Sequence, residues 1–141
     1  MGEIHELLQS RELFTVPVGT TVKDAVFYMS EKGVGLVPVM EDGKLIGVFS
    51  ERDLVKRVIS KNKRIEKTKV DEVMTKDLIV ASADEANESI LAKMKEAKIR
   101  HILIIESDKL IGVLSMRDLL ELDLSVCKTT VEVLNNYIYS K

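Results

Sequence analysis

Apolar and polar positions along this chain follow two periods that alternate and then repeat. Ile4, Leu7 and Leu8 fall at helical spacing and predict a short leading helix over residues 4–10. An extended piece, Leu13–Val16, follows, and Pro17 keeps the chain non-helical there. Thr21-Val22-Lys23-Asp24 matches a capping box, and Val22, Ala25, Val26 and Met29 form one apolar face of the helix it opens. Lys32-Gly33 ends that helix, with Gly as the residue just past its end. Val34–Met40 reads as a strand, Asp42-Gly43 as a tight turn, and Leu45–Phe49 as the returning strand. A helical pattern from about Arg52 to Ser60 closes the series.

The same grammar then recurs. Val70–Lys76 pairs with the leading helix, and Leu78–Ala81 with the extended piece. Ser82-Ala83-Asp84-Glu85 predicts a second capping box, and Ile90, Leu91, Met94 and Ala97 the second apolar face. Strands are expected at Ile99–Ile105 and Leu110–Leu114 around a turn at Ser107-Asp108, and a helix at about Arg117–Asp123. The core of the repeat is Lys44-Leu-Ile-Gly-Val-Phe-Ser-Glu-Arg-Asp-Leu54, which returns 65 residues later as Lys109-Leu-Ile-Gly-Val-Leu-Ser-Met-Arg-Asp-Leu119. The expected fold is therefore α+β: two tandem β-α-β-β-α repeats related by a pseudo-twofold axis, their sheets packed together. Residues 1–66 form the first repeat with its leading helix and a basic linker, and 67–123 the second. Residues 124–141 form a C-terminal tail, in which Val131, Val133, Leu134, Tyr137 and Ile138 predict an amphipathic helix.

Each core stretch places a Ser where a strand ends and an Asp three residues later, in the first turn of a helix. Helix capping alone accounts for both residues. The same turn also gathers backbone N–H groups, a hydroxyl and an Arg, which suits an anionic ligand. Gly47 and Gly112, inside strands, mark a bulge or a close approach of other atoms.

Composition narrows the functional classes. The chain of 141 residues is 45% apolar and 31% charged with a formal net charge of −2, so no global field draws it to nucleic acid or to an anionic membrane. The basic stretch 56–69 reads as a solvated helix end and linker rather than as a phosphate groove. No apolar run approaches membrane-spanning length. Met1–Glu6 has no signal-peptide pattern, and the single Cys127 supports no intramolecular disulfide; a cytoplasmic location is the default expectation. The two histidines, His5 and His101, show no metal spacing, no nucleophile pairs with a base, and no Gly-rich phosphate loop is present, so neither a metal site nor an independent enzyme is expected.

Four segments carry a resemblance to a known family: Gly33–Val39, Gly47–Leu54, Ile99–Ile104 and Gly112–Leu119. In this order and in two aligned copies, they resemble a tandem pair of cystathionine-β-synthase (CBS) domains, a Bateman module, over about residues 4–123. The resemblance implies regulatory binding of an adenosine-containing ligand (AMP, ADP, ATP, S-adenosylmethionine or NAD) in clefts between the repeats, with no cofactor required. Ser50 with Asp53, and Ser115 with Asp118, match the family's ribose-binding pair. A carboxylate can accept from two vicinal hydroxyls at once. By family position, adenine would meet Val48, Ala81 and Ile99 in one cleft, and Val113, Val16 and Val34 in the other. Phosphates would meet Arg52 or Arg117, and in the Asp53 cleft Arg100 beside His101. Gly35 and Leu36 stand in the matching place for Asp118, which leaves that cleft without its basic residue.

The resemblance also implies a homodimer and an effector protein as partner, while composition and charge point to neither a membrane nor nucleic acid. The competing reading is a structural dimerisation or protein-interaction module whose nucleotide clefts are vestigial.

Overall fold

A computed structural model of the chain describes residues 2–126; the tail expected at 124–141, apart from the end of the last helix, and Cys127 lie outside the described residues. The elements follow the order α1 (Glu3–Gln9), β1 (Val16–Pro17), α2 (Val22–Lys32), β2 (Leu36–Glu41), β3 (Lys44–Ser50), α3 (Glu51–Asp53), a π-helical segment (Leu54–Ile59), α4 (Val70–Val73), β4 (Val80–Ser82), α5 (Asn87–Ala97), β5 (His101–Glu106), β6 (Lys109–Ser115) and α6 (Met116–Val126). Two three-stranded sheets result, ordered β1-β2-β3 and β4-β5-β6. In the first, β1 runs parallel and β3 antiparallel to β2; in the second, β4 runs parallel to β5. The mixed α+β class and the two repeats are thus present as expected.

The chain divides into two compact units, Glu12–Ile79 with Ser107–Leu110, and residues up to Arg11 with Val80–Glu106 and Ile111 onward. The core of the first is Val16, Val22, Ala25, Met29, Val37, Val39, Phe49 and Val58, joined by Val70, Val73 and Met74 from α4 and its end. The core of the second is Ala81, Ala83, Ile90, Met94, Ile102, Ile104, Leu114 and Leu119, joined by Ile4 and Leu8 from α1. The compact units therefore cut across the sequence repeats. The leading helix of the chain packs with the strands of the second repeat, and its counterpart α4 with those of the first.

Glycine makes both packings possible. A Cβ on Gly47 would stand 2.5 Å from Met74 Sδ and 2.9 Å from the Thr75 carbonyl oxygen. A Cβ on Gly112 would stand 2.7 Å and 3.0 Å from the two methyl carbons of Leu8. Each glycine is a notch in its strand that receives one apolar side chain from a leading helix or its end. Opposite Gly47, the register of β2 shifts between Val39 and Met40, so the notch sits beside a bulge.

The local signals act mostly as read. Thr21 Oγ1 accepts from the Asp24 N–H at 3.1 Å, and Gly33 ends α2 with φ of 69°. Asp42 and Gly43, at φ of 51° and 79°, make the tight turn between β2 and β3. Ser107 and Asp108 adopt the same left-handed pair without a glycine. Two expectations are corrected. Only half of the Ser82–Glu85 box forms, and it lies in a turn: the Ser82 N–H donates to Glu85 Oε1 at 3.1 Å, but Ser82 Oγ accepts from the Asp84 N–H rather than that of Glu85. Helix α5 starts at Asn87, and Ala86, the repeat counterpart of Thr21, occupies the cap without a side-chain bond. The register of the repeat overrides the local capping match. The helix expected over 52–60 is α-helical only through Asp53 and continues as a π-helix, wider by one residue per hydrogen-bonded ring.

The basic stretch 56–69 is anchored through its backbone. The Val22 and Lys23 N–H groups donate to the Thr68 and Ile65 carbonyls at 2.8 and 3.0 Å, and Ile65 packs on the first core. This is the linker role, with cationic heads left at the surface.

Gly47→Ala tests the notch directly. The added methyl must displace Met74 or a backbone carbonyl, so we expect a loss of about 1–3 kcal/mol of unfolding free energy, the usual cost of overpacking. Gly112→Ala should lose less, because the flexible end of Leu8 can shift. Equal stability of Gly47→Ala and wild type in urea unfolding would refute the notch.

Candidate functional site

The two Ser–Asp turns are the most built features outside the cores. At the first, Ser50 ends β3 in an extended conformation, and its Oγ accepts from the Asp53 N–H at 3.2 Å. Asp53 returns the favour: its Oδ2 accepts from the Ser50 N–H at 3.0 Å and from Ser50 Oγ at 3.1 Å. Its other oxygen, Oδ1, accepts from Thr75 Oγ1 at 3.0 Å and lies 3.6 Å from Arg57 Nε. The residue is only 4% exposed. Burying a carboxylate is costly unless it is hydrogen-bonded, and both Asp53 oxygens have donors.

The reach to Thr75 comes from backbone pairing. Val48 and Thr75 exchange two hydrogen bonds of 2.9 and 2.8 Å, so the chain after α4 lies along β3 beside the turn. Arg57 adds a second tie by donating to the Met74 carbonyl at 2.9 Å.

The second turn repeats the cap but not its surroundings. Ser115 Oγ accepts from the Asp118 N–H at 3.0 Å, and Asp118 Oδ2 accepts from the Ser115 N–H at 2.8 Å. Here the carboxylate is forked by Arg11, Nη1 to Oδ2 at 3.2 Å and Nη2 to Oδ1 at 3.0 Å. Ser10, the counterpart of Thr75, does not reach it; its hydroxyl donates to the Leu7 carbonyl at 2.6 Å, at the end of α1. Leu122, not an arginine, stands in the place of Arg57. Equivalent carboxylates thus hold cations from non-equivalent positions.

Electrostatics follow. Burial alone would raise the Asp118 carboxyl, but the Arg11 hydrogen bonds, those of the Ser115 backbone and side chain, and the Arg11 charge together hold it below its ordinary value of 3.8.

The remaining candidate residues lie in their own units as follows. Val48 and Val113 are half-buried in β3 and β6, while Val16 and Ala81 are buried in β1 and β4. Val34 and Ile99 are half-buried just past α2 and α5, each donating its N–H to the helix end (Met29 and Met94 carbonyls, 3.0 Å both). Arg52, Arg100 and Arg117 are exposed, and His101 is half-buried at the start of β5. Arg117 Nε lies 3.4 Å from Glu121 along α6. The Arg100 carbonyl accepts the Met116 N–H at 2.9 Å, as the Gly35 carbonyl accepts that of Glu51 at 3.0 Å. A Cβ at Gly35 would lie 3.1 Å from the Glu51 carboxyl carbon, the far end of an exposed side chain. Sequence reasoning had no local signal for Thr75, Arg57 or Arg11. The 65-residue offset aligns Thr75 with Ser10 and Arg11 with Lys76, but not which of them would reach a carboxylate. Among the described residues no cluster of His, Cys, Asp and Glu could hold a metal ion, and no helix is long and apolar enough to cross a membrane.

The lowered Asp118 value fixes the sign of a pH effect. A carboxyl depressed in the folded state contributes stability that is full above its unfolded value and fades as pH falls through the folded one. We expect wild type to lose stability below about pH 4 more steeply than Asp118→Asn, with the two curves converging in acid. Parallel curves from pH 6 to 2 would show that the Arg11 pair adds nothing to folding.

The CBS domain family model matches this chain twice, over residues 3–60 and 70–125. A curated relative, the CBS domain-containing protein YhcV of Bacillus subtilis, is 30% identical over 108 residues, covering 77% of this chain and 76% of that protein. Several longer Arabidopsis thaliana relatives match too, the chain spanning only 20% of their length. Among solved structures, a protein with CBS domains from Burkholderia ambifaria superposes with a TM-score of 0.80 at 27% identity, over 86% of this chain and 93% of that one. The CBS domain pair of protein MJ0100, solved with 5′-methylthioadenosine and S-adenosyl-L-methionine, superposes with a TM-score of 0.74 at 21% identity, over 84% and 93%. That likeness shows the shared fold.

Proposed function

Because the chain belongs to the CBS-domain family and carries two such domains in tandem, we propose that it is a regulatory module that binds an adenosine-containing ligand at its Ser–Asp turns. The observation that carries the reading is the pair of structured carboxylates, Asp53 and Asp118, each fixed by its own Ser at the end of a strand. Fixed carboxylates offer charge-assisted acceptors to the vicinal hydroxyls of a ribose, and preorganisation lowers the cost of binding them. MJ0100, of the same fold, was solved with two adenosyl ligands, which supports this ligand class. AMP, ADP, ATP and S-adenosylmethionine are the candidates. Arg52, Arg100, His101 and Arg117 are the proposed polar contacts, and Val16, Val34, Val48, Ala81, Ile99 and Val113 the apolar ones. Binding acts on a partner only if the ligand prefers one of two arrangements of the protein.

A specific observation favours the alternative. Asp53 already accepts from three donors and lies beside Arg57, which leaves its carboxylate about one acceptor site for ribose. On that reading the turns are structural, and the chain is an interaction module. Exposed apolar side chains on helices, Val55 (60%), Ile59 (55%) and Leu120 (54%), suit pairing with a second copy or an effector protein.

Calorimetric titration with AMP, ADP, ATP and S-adenosylmethionine decides between the two. We expect micromolar binding of at least one, weakened by about 1.5–3 kcal/mol in Asp118→Asn or Asp53→Asn variants that still melt cooperatively. Absence of heat and of thermal shift with all four ligands would establish the structural reading.

A further inference from the structure

Arg11 holds Asp118 by a fork, and the fork uses both carboxylate oxygens. With the Ser115 N–H also on Oδ2, the carboxylate has little left to offer a new donor. A pair of ribose hydroxyls arriving there would need the atoms that the guanidinium now covers. Among the described residues no such fork exists at Asp53. There the corresponding chain position is Lys76, and the nearby cation, Arg57, approaches one oxygen only, at 3.6 Å.

Arg11 is also placed to move. It follows Ser10, the residue that ends α1, and its side chain is 39% exposed while that of Asp118 is 15% exposed. Its long stem can swing without disturbing the buried Leu8 that anchors the helix. Once displaced, the guanidinium has lost a bidentate partner. A phosphate supplies another acceptor of the same fork geometry; an uncharged nucleoside supplies none.

We propose that Arg11 sets ligand selection at the Asp118 turn, excluding uncharged nucleosides and admitting anionic nucleotides that can take its guanidinium in exchange for the carboxylate. The proposal rests on the reading of Asp118 as a ribose-binding residue. It gives this turn a second cation, where the sequence pattern, with Gly35 in the expected basic position, left only Arg117.

The test uses adenosine and AMP as probes, titrated calorimetrically into the full chain. Wild type, Arg11→Gln, Arg11→Lys, Asp118→Asn and the Arg11→Gln/Asp118→Asn double variant are compared, with thermal melting as a folding check. In Arg11→Gln, adenosine should bind about two- to fivefold tighter, the effect of removing one competing ion pair, and the preference for AMP over adenosine should shrink at least as much. Arg11→Lys, which keeps charge but loses the fork, should give a smaller gain. The gain must vanish in the double variant. Unchanged or weaker adenosine binding in Arg11→Gln and Arg11→Lys, or a gain that survives Asp118→Asn, would overturn the role of Arg11. If AMP binding in wild type still responds to Asp118→Asn, the ligand-binding reading stands without it. Absence of binding of both probes in wild type and Arg11→Gln alike would overturn both.

Discussion

The fold depends on two missing side chains. Gly47 and Gly112 leave a gap in the middle of β3 and of β6, and each gap is filled from outside the strand, by Met74 and by Leu8. A three-stranded sheet with one helix on it cannot close its own core, because a half-covered sheet still exposes apolar surface. The leading helices supply the missing cover, and the notches are where they seat. Buried Ile4 and Leu8 complete one core, and Val70, Val73 and Met74 the other. The exchange explains why the chain needs both repeats: each strand set borrows the leading segment that precedes the other in sequence.

That seating also builds the turns. Met74 lies in the Gly47 notch, and the next residue, Thr75, pairs with Val48 and places its hydroxyl on Asp53. Leu8 lies in the Gly112 notch, and three residues on, Arg11 reaches Asp118. Packing thus delivers polar partners to both carboxylates as a by-product of closing the cores. Energetically the order matters. Apolar burial supplies the driving force, and the carboxylates, once enclosed, must find donors or be costly.

Much of this was legible locally. Thr21, Gly33 and Asp42-Gly43 act through bonds within a few residues, so the sequence pattern carries them intact. The Ser–Asp reciprocity is equally local, spanning three residues in each copy. What failed was also instructive. Ser82–Glu85 has the letters of a capping box, but Lys93 Nζ holds Glu85 Oε1 at 2.7 Å in a turn ahead of the helix, and the repeat register starts α5 at Asn87. The π-helical turn after Asp53 has no composition of its own; it accompanies the tie of Arg57 to the Met74 carbonyl, a contact across 17 residues. Thr75 and Arg11 lie 22 and 107 residues from their carboxylates, beyond any periodicity.

The repeat hides its asymmetry for the same reason. Sequence comparison aligns Asp53 with Asp118 and finds them equal, since Ser and Asp are kept and the caps are the same. Their environments are set by side chains that the alignment places opposite unlike residues: Thr75 opposite Ser10, Arg57 opposite Leu122, Arg11 opposite Lys76. At Asp53 a threonine hydroxyl takes one oxygen of a carboxylate whose other oxygen the Ser50 turn already holds; at Asp118 a guanidinium fork engages both oxygens. A cap needs only the Ser and the Asp. Differences in what the two turns admit must come from the third residue at each, because that residue decides how many acceptor sites remain and what charge must leave when one is taken.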